Sequence, residues 1–168
     1  MEKFLLYQYI ITSLSVLFLI NFIINNILYK NTANYSLPGS FKKSPPLVSI
    51  LIPARNEADN IRKCVRSLLK QDYPNTEIIV LNDNSSDDTA LIVEKLAAGN
   101  SNLKLINGKP LKPGWLGKCY ACYQLAKYAK GEYLVFTDAD TFHLKNSVSS
   151  AIGCMASNKL DVLSAIPR

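Results

Sequence analysis

A chain of 168 residues is long enough for one domain and not comfortably for two. Hydrophobic residues make up 48%, which supports a packed core, although part of that share lies in one N-terminal block. The formal net charge is +6, but the cations are scattered and no basic helix or aromatic–basic patch stands out; this argues against nucleic acid and for anionic lipid or a phosphorylated ligand.

Residues 4–29 contain no charged side chain. As a helix this block runs roughly 39 Å, enough to cross a hydrocarbon core of about 30 Å with tilt. It is too long for the apolar region of a signal peptide, and YKNTANYS behind it has no A-x-A cleavage pattern. A buried core helix competes, because Gln8, Thr12, Asn21 and Asn25 make the block less apolar than an ideal span. The reading is a single-pass transmembrane anchor over residues 1–30. Lys3 ahead of the block is offset by Glu2, whereas Lys30, Lys42 and Lys43 follow it. The positive-inside bias therefore places the rest of the chain on the cytoplasmic side of the cell membrane.

Residues 31–46 are polar and rich in Pro, Gly and Ser, which predicts a linker. A repeating pattern follows. LVSILIP, residues 47–53, predicts a buried strand. Ile61, Val65, Leu68 and Leu69 share one face of a predicted helix over residues 56–71. TEIIVLND, residues 76–83, predicts a second strand. Asp87 and Asp88 precede ALIVEKLAA, where a helix N-terminus favours acids. LKLIN, residues 103–107, predicts a third strand. A Pro/Gly-rich loop leads to a helix over residues 118–130, which Gly131 ends, and EYLVFTD is the fourth strand. A helix near residues 145–157 and a strand at residues 161–166 complete the pattern. The alternation predicts an α/β fold: a Rossmann-like parallel sheet with helices on both faces.

The four cysteines are Cys64, Cys119, Cys122 and Cys154. Cys119 and Cys122 have C-x-x-C spacing, but a structural zinc site needs four ligands and His143 is the only histidine. Both are read as small apolar fillers of a helix.

Ligands of parallel sheets bind beyond the carboxyl ends of the strands. Three predicted strands end there in polar clusters: PARNE (Pro53, Ala54, Arg55, Asn56, Glu57), NDNSSDDT (residues 82–89) and TDADT (residues 137–141). Glu57, Asp83, Asp138 and Asp140 would then surround one crevice. Carboxylates held together repel, so a hard cation, Mg2+ or Mn2+, is expected to share it with a diphosphate. D-x-D alone is a weak signal, since two acids in a solvated loop are commonplace; the strand end and the companion clusters strengthen it. Lys118, in GWLGK, opens a helix where backbone N–H groups and an ammonium favour phosphate. The spacing is not that of a P-loop, because Lys112 stands at the first glycine's place and Cys119 follows Lys118. Trp115 either walls the pocket or caps the core. His143 reads as a loop residue. Arg55 touches phosphate or pairs with a carboxylate.

Together these residues resemble a family 2 glycosyltransferase of the GT-A fold. VSILIPARNE is similar to that family's opening strand and P-x-x-N-E turn. IIVLNDNSSDDT is similar to its V-D-D-G-S-x-D-x-T segment, with Asn82 at the first Asp and Asn84 at the Gly. The likeness runs from Val48 to Arg168, and LKPGWLGKCYACYQLAKYAKGEYLVFTDADT most resembles a membrane-bound subgroup acting on hopanoid or carotenoid-type lipids. The resemblance implies a nucleotide-sugar-binding set of Pro53, Ala54, Arg55, Glu57, Asp83, Lys118 and Asp138, with Asp83 near the base and Lys118 near the diphosphate. It implies metal binding by Asp138 and Asp140. The implied reaction is inverting transfer from a nucleotide-sugar donor, UDP-sugar favoured, to a lipid or glycan acceptor.

The family's catalytic base, often in an E-D pair, and its R/Q-x-x-R-W region fall downstream of D-x-D. Residues 47–168 therefore read as an incomplete donor-binding domain, completed by sequence beyond Arg168 or by a C-terminal half on another chain. Two other readings compete. One is a membrane-tethered nucleotide-sugar-binding module without turnover. The other is a haloacid-dehalogenase-like phosphatase, whose D-x-D-x-T nucleophile motif TDADT also fits; that motif normally opens its domain, whereas here it follows three strands.

Overall fold

The computed structural model describes residues 1–28, 32 and 35–165. It divides into two units, residues 1–32 and 33–168, each of which is described by itself.

The first unit is helix α1 (Glu2–Leu28), 27 residues with a mean hydropathy of 2.0 over its most apolar window and no buried residue. It is long and apolar enough to cross a membrane, and it is apolar on all sides rather than along one stripe. Two of its polar groups are satisfied within the helix. Ser15 Oγ donates to Ile11 O at 2.9 Å, and Asn25 Nδ2 donates to Asn21 Oδ1 at 2.8 Å. Lys30, used above for orientation, lies outside the described residues.

The second unit contains α2 (Gly39–Lys43), β1 (Val48–Ala54), α3 (Ile61–Leu68), β2 (Thr76–Asn82), α4 (Thr89–Ala97), β3 (Leu103–Asn107), α5 (Gly117–Tyr128), β4 (Tyr133–Phe136) and α6 (Ser147–Asn158). The four strands form one parallel sheet in the order β3-β2-β1-β4. The strand order reverses beside β1, between β2 and β4, so a crevice is expected at their carboxyl ends.

Period-two alternation distributes the strand residues between two cores. Val48, Ile50 and Ile52 of β1 and Ile78 and Val80 of β2 face α3, α4 and α6, where Ile61, Val65, Val93 and Ile152 meet them. Leu51, Ile79 and Leu81 face Ala121 and Leu125 of α5. Helices thus cover both faces, as the pattern predicts. Each fully buried aliphatic side chain contributes roughly 1.5–3 kcal/mol relative to exposure.

The α5 face carries a polar latch at its amino-terminal end. Ser49 and Glu77 are register partners across β1 and β2. Ser49 Oγ donates to Glu77 Oε1 at 2.6 Å, Lys130 N to the same oxygen at 2.7 Å, and Gly131 N to Ser49 Oγ at 2.8 Å. These bonds fix the exit of α5 into β4. Only glycine fits at 131, because a Cβ there would lie 2.5 Å from Ser49 N and 2.8 Å from Leu47 O.

Three local readings are corrected. The predicted helix over residues 56–71 spans only Ile61–Leu68, because the preceding residues form a turn with Asn56 at φ 54°. No strand forms over residues 161–165, and residues 166–168 lie outside the described residues. β4 accordingly remains an edge of the sheet, with Leu134 and Phe136 exposed. The stretch predicted as a linker is packed from Ser36 on. Leu37 and Phe41 rest on the core, Tyr73 Oη donates to Pro46 O at 2.8 Å, and a Cβ on Gly153 would come within 2.6 Å of Ser36 O.

Two stability outcomes follow from the latch. Gly131→Ala forces backbone apart and costs about 1–3 kcal/mol in denaturant unfolding of the full chain. Burial alone would raise the Glu77 carboxyl, but bonds from Ser49 and Lys130 and the charges of Lys104 and Lys130 outweigh it and hold it below the usual range. Its stabilisation is therefore complete above the unfolded carboxylate's range and is lost as pH falls through the lower folded value. Between about pH 5 and pH 3, wild type should lose more unfolding free energy than Glu77→Gln, a comparison that urea titrations at each pH make directly.

Candidate functional site

The turns after β1 and β2 are stitched together by their own side chains. Glu57 N donates to Thr89 Oγ1 at 2.8 Å and Ala58 N to Asp87 Oδ2 at 3.0 Å. In return, Ser86 N donates to Asn56 Oδ1 at 2.8 Å, and Asn56 N donates to Ser85 Oγ at 3.1 Å. Asp87 also accepts from Thr89 N and from Thr89 Oγ1. The Thr89 hydroxyl and these N–H groups hold the Asp87 carboxyl below its usual range. Asn56 and Asn84 both adopt φ 54°, a conformation that Asn tolerates better than most residues. Asn82 accepts from Ser85 N at 3.0 Å and donates to Asn107 at 3.1 Å, a pair of roles that a carboxylate cannot fill.

Against this frame the strand ends open a cleft of about 310 Å³. Every site residue predicted from the sequence lines it: Pro53, Ala54, Arg55, Glu57, Asp83, Lys118, Asp138 and Asp140. Together they come from three strand ends and one helix start. Pro53 and Ala54 close β1; Asp83 follows β2, its N–H donating to Ala54 O at 2.8 Å. Asp138 and Asp140 follow β4, and Lys118 lies in the first turn of α5. The expectation that Asp83, Lys118 and Asp140 share one cavity is met.

Sequence reasoning passed over three lining residues, Gly117, Ala121 and Ala139. Gly117 stands in the quoted GWLGK and opens α5, whose first N–H groups lack intrahelical acceptors. Asp87, read with Asp88 as an acid favoured at a helix N-terminus, does more than that: with Thr89 it positions the PARNE turn, a role visible only once the two strand ends lie side by side.

Lys118 Nζ donates to Asp138 Oδ1 at 2.7 Å. Both side chains are more than half exposed, so the pair is weak and readily exchanged for a ligand. The Asp138 hydrogen bond holds the Lys118 ammonium above its usual range, so it stays charged. Cys64 lies beneath the cleft, with Sγ 3.5 Å from Asp138 O. Burial, then the charges of Asp140, Glu57 and Asp138, push its thiol up to about 12, so it is inert at neutral pH. Arg55 and Asp140 have no ion pair or hydrogen-bonded side chain among the described residues.

The donors facing the cleft are carboxylate oxygens, which suit a hard cation. Among the described residues no three His, Cys, Asp or Glu side chains are grouped so as to hold a metal on their own. A cation held here would need oxygen atoms from a ligand to complete its shell.

Other sequence readings fare unevenly. His143 is a loop residue, as expected: its N–H donates to Ser67 Oγ at 3.0 Å and its Nε2 lies 2.9 Å from Thr137 Oγ1. Burial lowers its imidazole below the usual range. Cys122 is half-buried, but Cys119 is exposed rather than a core filler, because it lies on a flank of α5 turned from the sheet. Of the two roles open to Trp115, it does not line the cleft but covers buried Tyr120. It leans on Tyr120 and Tyr123, with ring centroids 5.4 and 4.9 Å away.

Residues 49–168 match the family described as glycosyl transferase family 2. A relative from Staphylococcus haemolyticus, 4,4'-diaponeurosporenoate glycosyltransferase, is 40% identical over 93 residues, covering 55% of this chain and 24% of the relative. The Escherichia coli UDP-Glc:alpha-D-GlcNAc-diphosphoundecaprenol beta-1,3-glucosyltransferase WfgD is 33% identical over 117 residues, covering 70% of this chain and 44% of the relative. Among solved structures, S. aureus TarS 1-349 in complex with UDP-GlcNAc is 30% identical with a TM-score of 0.54, covering 67% of this chain and 32% of that one. The chain thus spans less than half the length of these proteins.

The stitched turns generate a test. Thr89 is fully buried, so Thr89→Val keeps its shape but strands the Glu57 N–H. It should cost about 1–3 kcal/mol in urea unfolding and, by loosening the Arg55–Glu57 turn, weaken any ligand of the cleft in calorimetry.

Proposed function

Because the chain belongs to glycosyltransferase family 2, we propose that residues 47–168 bind a nucleoside-diphosphate sugar and a divalent cation, as the donor half of a membrane-anchored enzyme. The anchor is residues 1–30. The reaction proposed for the complete enzyme is inverting transfer of the sugar to a lipid or glycan acceptor on the cytoplasmic side of the membrane. The observation that carries the reading is the convergence of one guanidinium, one ammonium and four carboxylates on a single cleft at the switch point of the sheet.

In this reading Pro53, Ala54, Glu57 and Asp83 contact the nucleoside, with Asp83 near the base. Lys118 and the first N–H groups of α5 face the diphosphate. Arg55, which has no carboxylate partner among the described residues, is free to join them. Asp138 lies by the ribose and the cation, and Asp140 binds the cation. Two carboxylates plus donor phosphates are the usual surroundings of Mg2+, and Mn2+ accepts the same oxygens. Bound there, the cation supplies charge neutralisation for the departing diphosphate. Lys118 exchanges Asp138 for a phosphate when the donor enters, which releases Asp138. Cys64 stays protonated and takes no part.

Relatives named for UDP-Glc and solved with UDP-GlcNAc favour a UDP-sugar. Relatives named for diaponeurosporenoate and a diphosphoundecaprenol favour a lipid acceptor. A second reading, a binding module without turnover, draws on one observation. Asp161 is the only acid after Asp140, and it does not line the cleft.

Calorimetry with UDP separates these ideas from no function at all. The full chain should bind UDP with Mn2+ and much more weakly in EDTA, and Asp140→Ala should weaken the metal-dependent binding roughly 10- to 100-fold. Equal affinity with and without metal would overturn the site. Incubated with UDP-sugar and lipid acceptor, these 168 residues alone should show little or no transfer; robust transfer would place a base within them.

A further inference from the structure

Residues 108–131 contain five lysines and no aspartate or glutamate. The structure gathers much of this segment onto one surface. Lys109 N donates to the buried Gln124 at 2.8 Å, which fastens the loop before α5 onto the helix. Leu116, Tyr120, Tyr123 and Lys127 recur at helical spacing along the side of α5 opposite Ala121 and Leu125. Trp115 covers Tyr120 and stacks beside Tyr123, and Lys127 Nζ lies 4.5 Å from the centre of the Tyr123 ring. The apolar parts nonetheless face outward: Leu116 is 75% exposed, Trp115 39% and Tyr123 41%. The absence of an aromatic–basic patch, read from the scattered cations, is thereby corrected. Residues that are sparse along the sequence meet across a loop and a helix.

We propose that this face, built from residues 109–116 and the outward stripe of α5, docks the domain on a bilayer bearing anionic phospholipid. Indole and phenol rings flanked by lysines are the side chains that settle at the headgroup level, apolar part inward and polar tip outward. Charge selects the occupant. Lys109, Lys112 and Lys127, which have no ion-pair partner among the described residues, meet the negative potential of an anionic leaflet, and each lysine close to that surface strengthens attachment. A second copy of the chain would bring the same positive face and be repelled. Helix α1, long and apolar enough to cross a membrane, belongs to the same chain. The face also adjoins the cleft, because Leu116 precedes Gly117 and Lys118, which line it. Docking there presents the cleft mouth to the membrane surface, where a lipid acceptor resides. That consequence rests on the glycosyltransferase reading; the docking itself does not.

Trp115 is the only tryptophan, so it reports on this face without labelling. The full chain is reconstituted in phosphatidylcholine vesicles with or without phosphatidylglycerol, each containing brominated lipid. Trp115 emission should be blue-shifted and quenched in the anionic vesicles and much less in the neutral ones. Raising salt to about 0.5 M should relieve the quenching by screening. The variant K109Q/K112Q/K127Q should weaken docking on the order of a hundredfold and return quenching to the level of neutral vesicles. None of those three lysines lines the cleft, so UDP affinity of the variant should be unchanged. Quenching that ignores lipid charge, salt and the three lysines would overturn the proposal. So would Trp115 shielded from both bromolipid and aqueous acrylamide, which means a protein cover, or a face that takes single-stranded oligonucleotide in preference to vesicles. A failed UDP titration with intact quenching would overturn the donor reading alone.

Discussion

Like charges crowded at one edge of a parallel sheet set the terms for the whole second unit. Glu57, Asp83, Asp138 and Asp140 line one cleft, and their mutual repulsion has to be offset by cations. Two cations are built in, the Arg55 guanidinium and the Lys118 ammonium, of which Lys118 is paired with Asp138. They offset part of the charge and leave Asp140 without a partner among the described residues. The remaining negative field reaches Cys64, whose thiol it helps to hold protonated. A protein gains no stability from arranging carboxylates this way, so the arrangement is explained by what it attracts. The proposed diphosphate and divalent cation would supply both missing elements, oxygens for the metal and a second anion for Lys118.

Such a cleft works only if its walls keep their positions while charges enter and leave. The fold meets that need by making turn backbones bond to side chains of neighbouring turns. Asp87 and Thr89 hold the N–H groups of Glu57 and Ala58, while Asn56 reciprocates to Ser86. At the opposite end of the sheet, Ser49 and Glu77 hold Lys130 and Gly131. That second clamp fixes where β4 begins and, through β4, where Asp138 and Asp140 emerge. The two ends of the sheet thus cooperate, one positioning the β1 and β2 turns and the other positioning the D-x-D segment.

Much of this was legible in the residues, for identifiable reasons. Buried parallel strands such as VSILIP and EIIVL are continuous apolar runs bounded by turn residues, and four of the five predicted strands formed within a few residues of their expected bounds. Parallel pairing then forces the three polar clusters onto one edge, which is why the residues lining the cleft are legible in the sequence. The misreadings share a cause. Residues 161–165 carry β-branched and apolar residues typical of a strand, but they do not pair with the open edge of β4, and composition alone does not decide pairing. Residues 56–60 have helical pattern, but tertiary bonds to Asp87 and Thr89 draw them into a turn. The segment near Ser36 looks like a linker because the glycine that admits it, Gly153, lies over a hundred residues away.

Helix α5 joins these themes because its sides serve different ends. Ala121 and Leu125 press on the sheet and fix the helix in place. Gly117 and Lys118, in its first turn, face the cleft. Tyr123 and Lys127 face outward beside Trp115. A rigid helix cannot shift one of these sides without shifting the others. Anything that orients the outward side therefore orients the cleft mouth, and anything that draws Lys118 toward a phosphate pulls on the same helix end that carries Trp115 and Leu116. The proposed membrane attachment and the proposed donor binding would in this way be mechanically linked through a single element of 12 residues. The link follows from helical geometry acting on a sequence that places core, cation and aromatic residues at different angles around one axis.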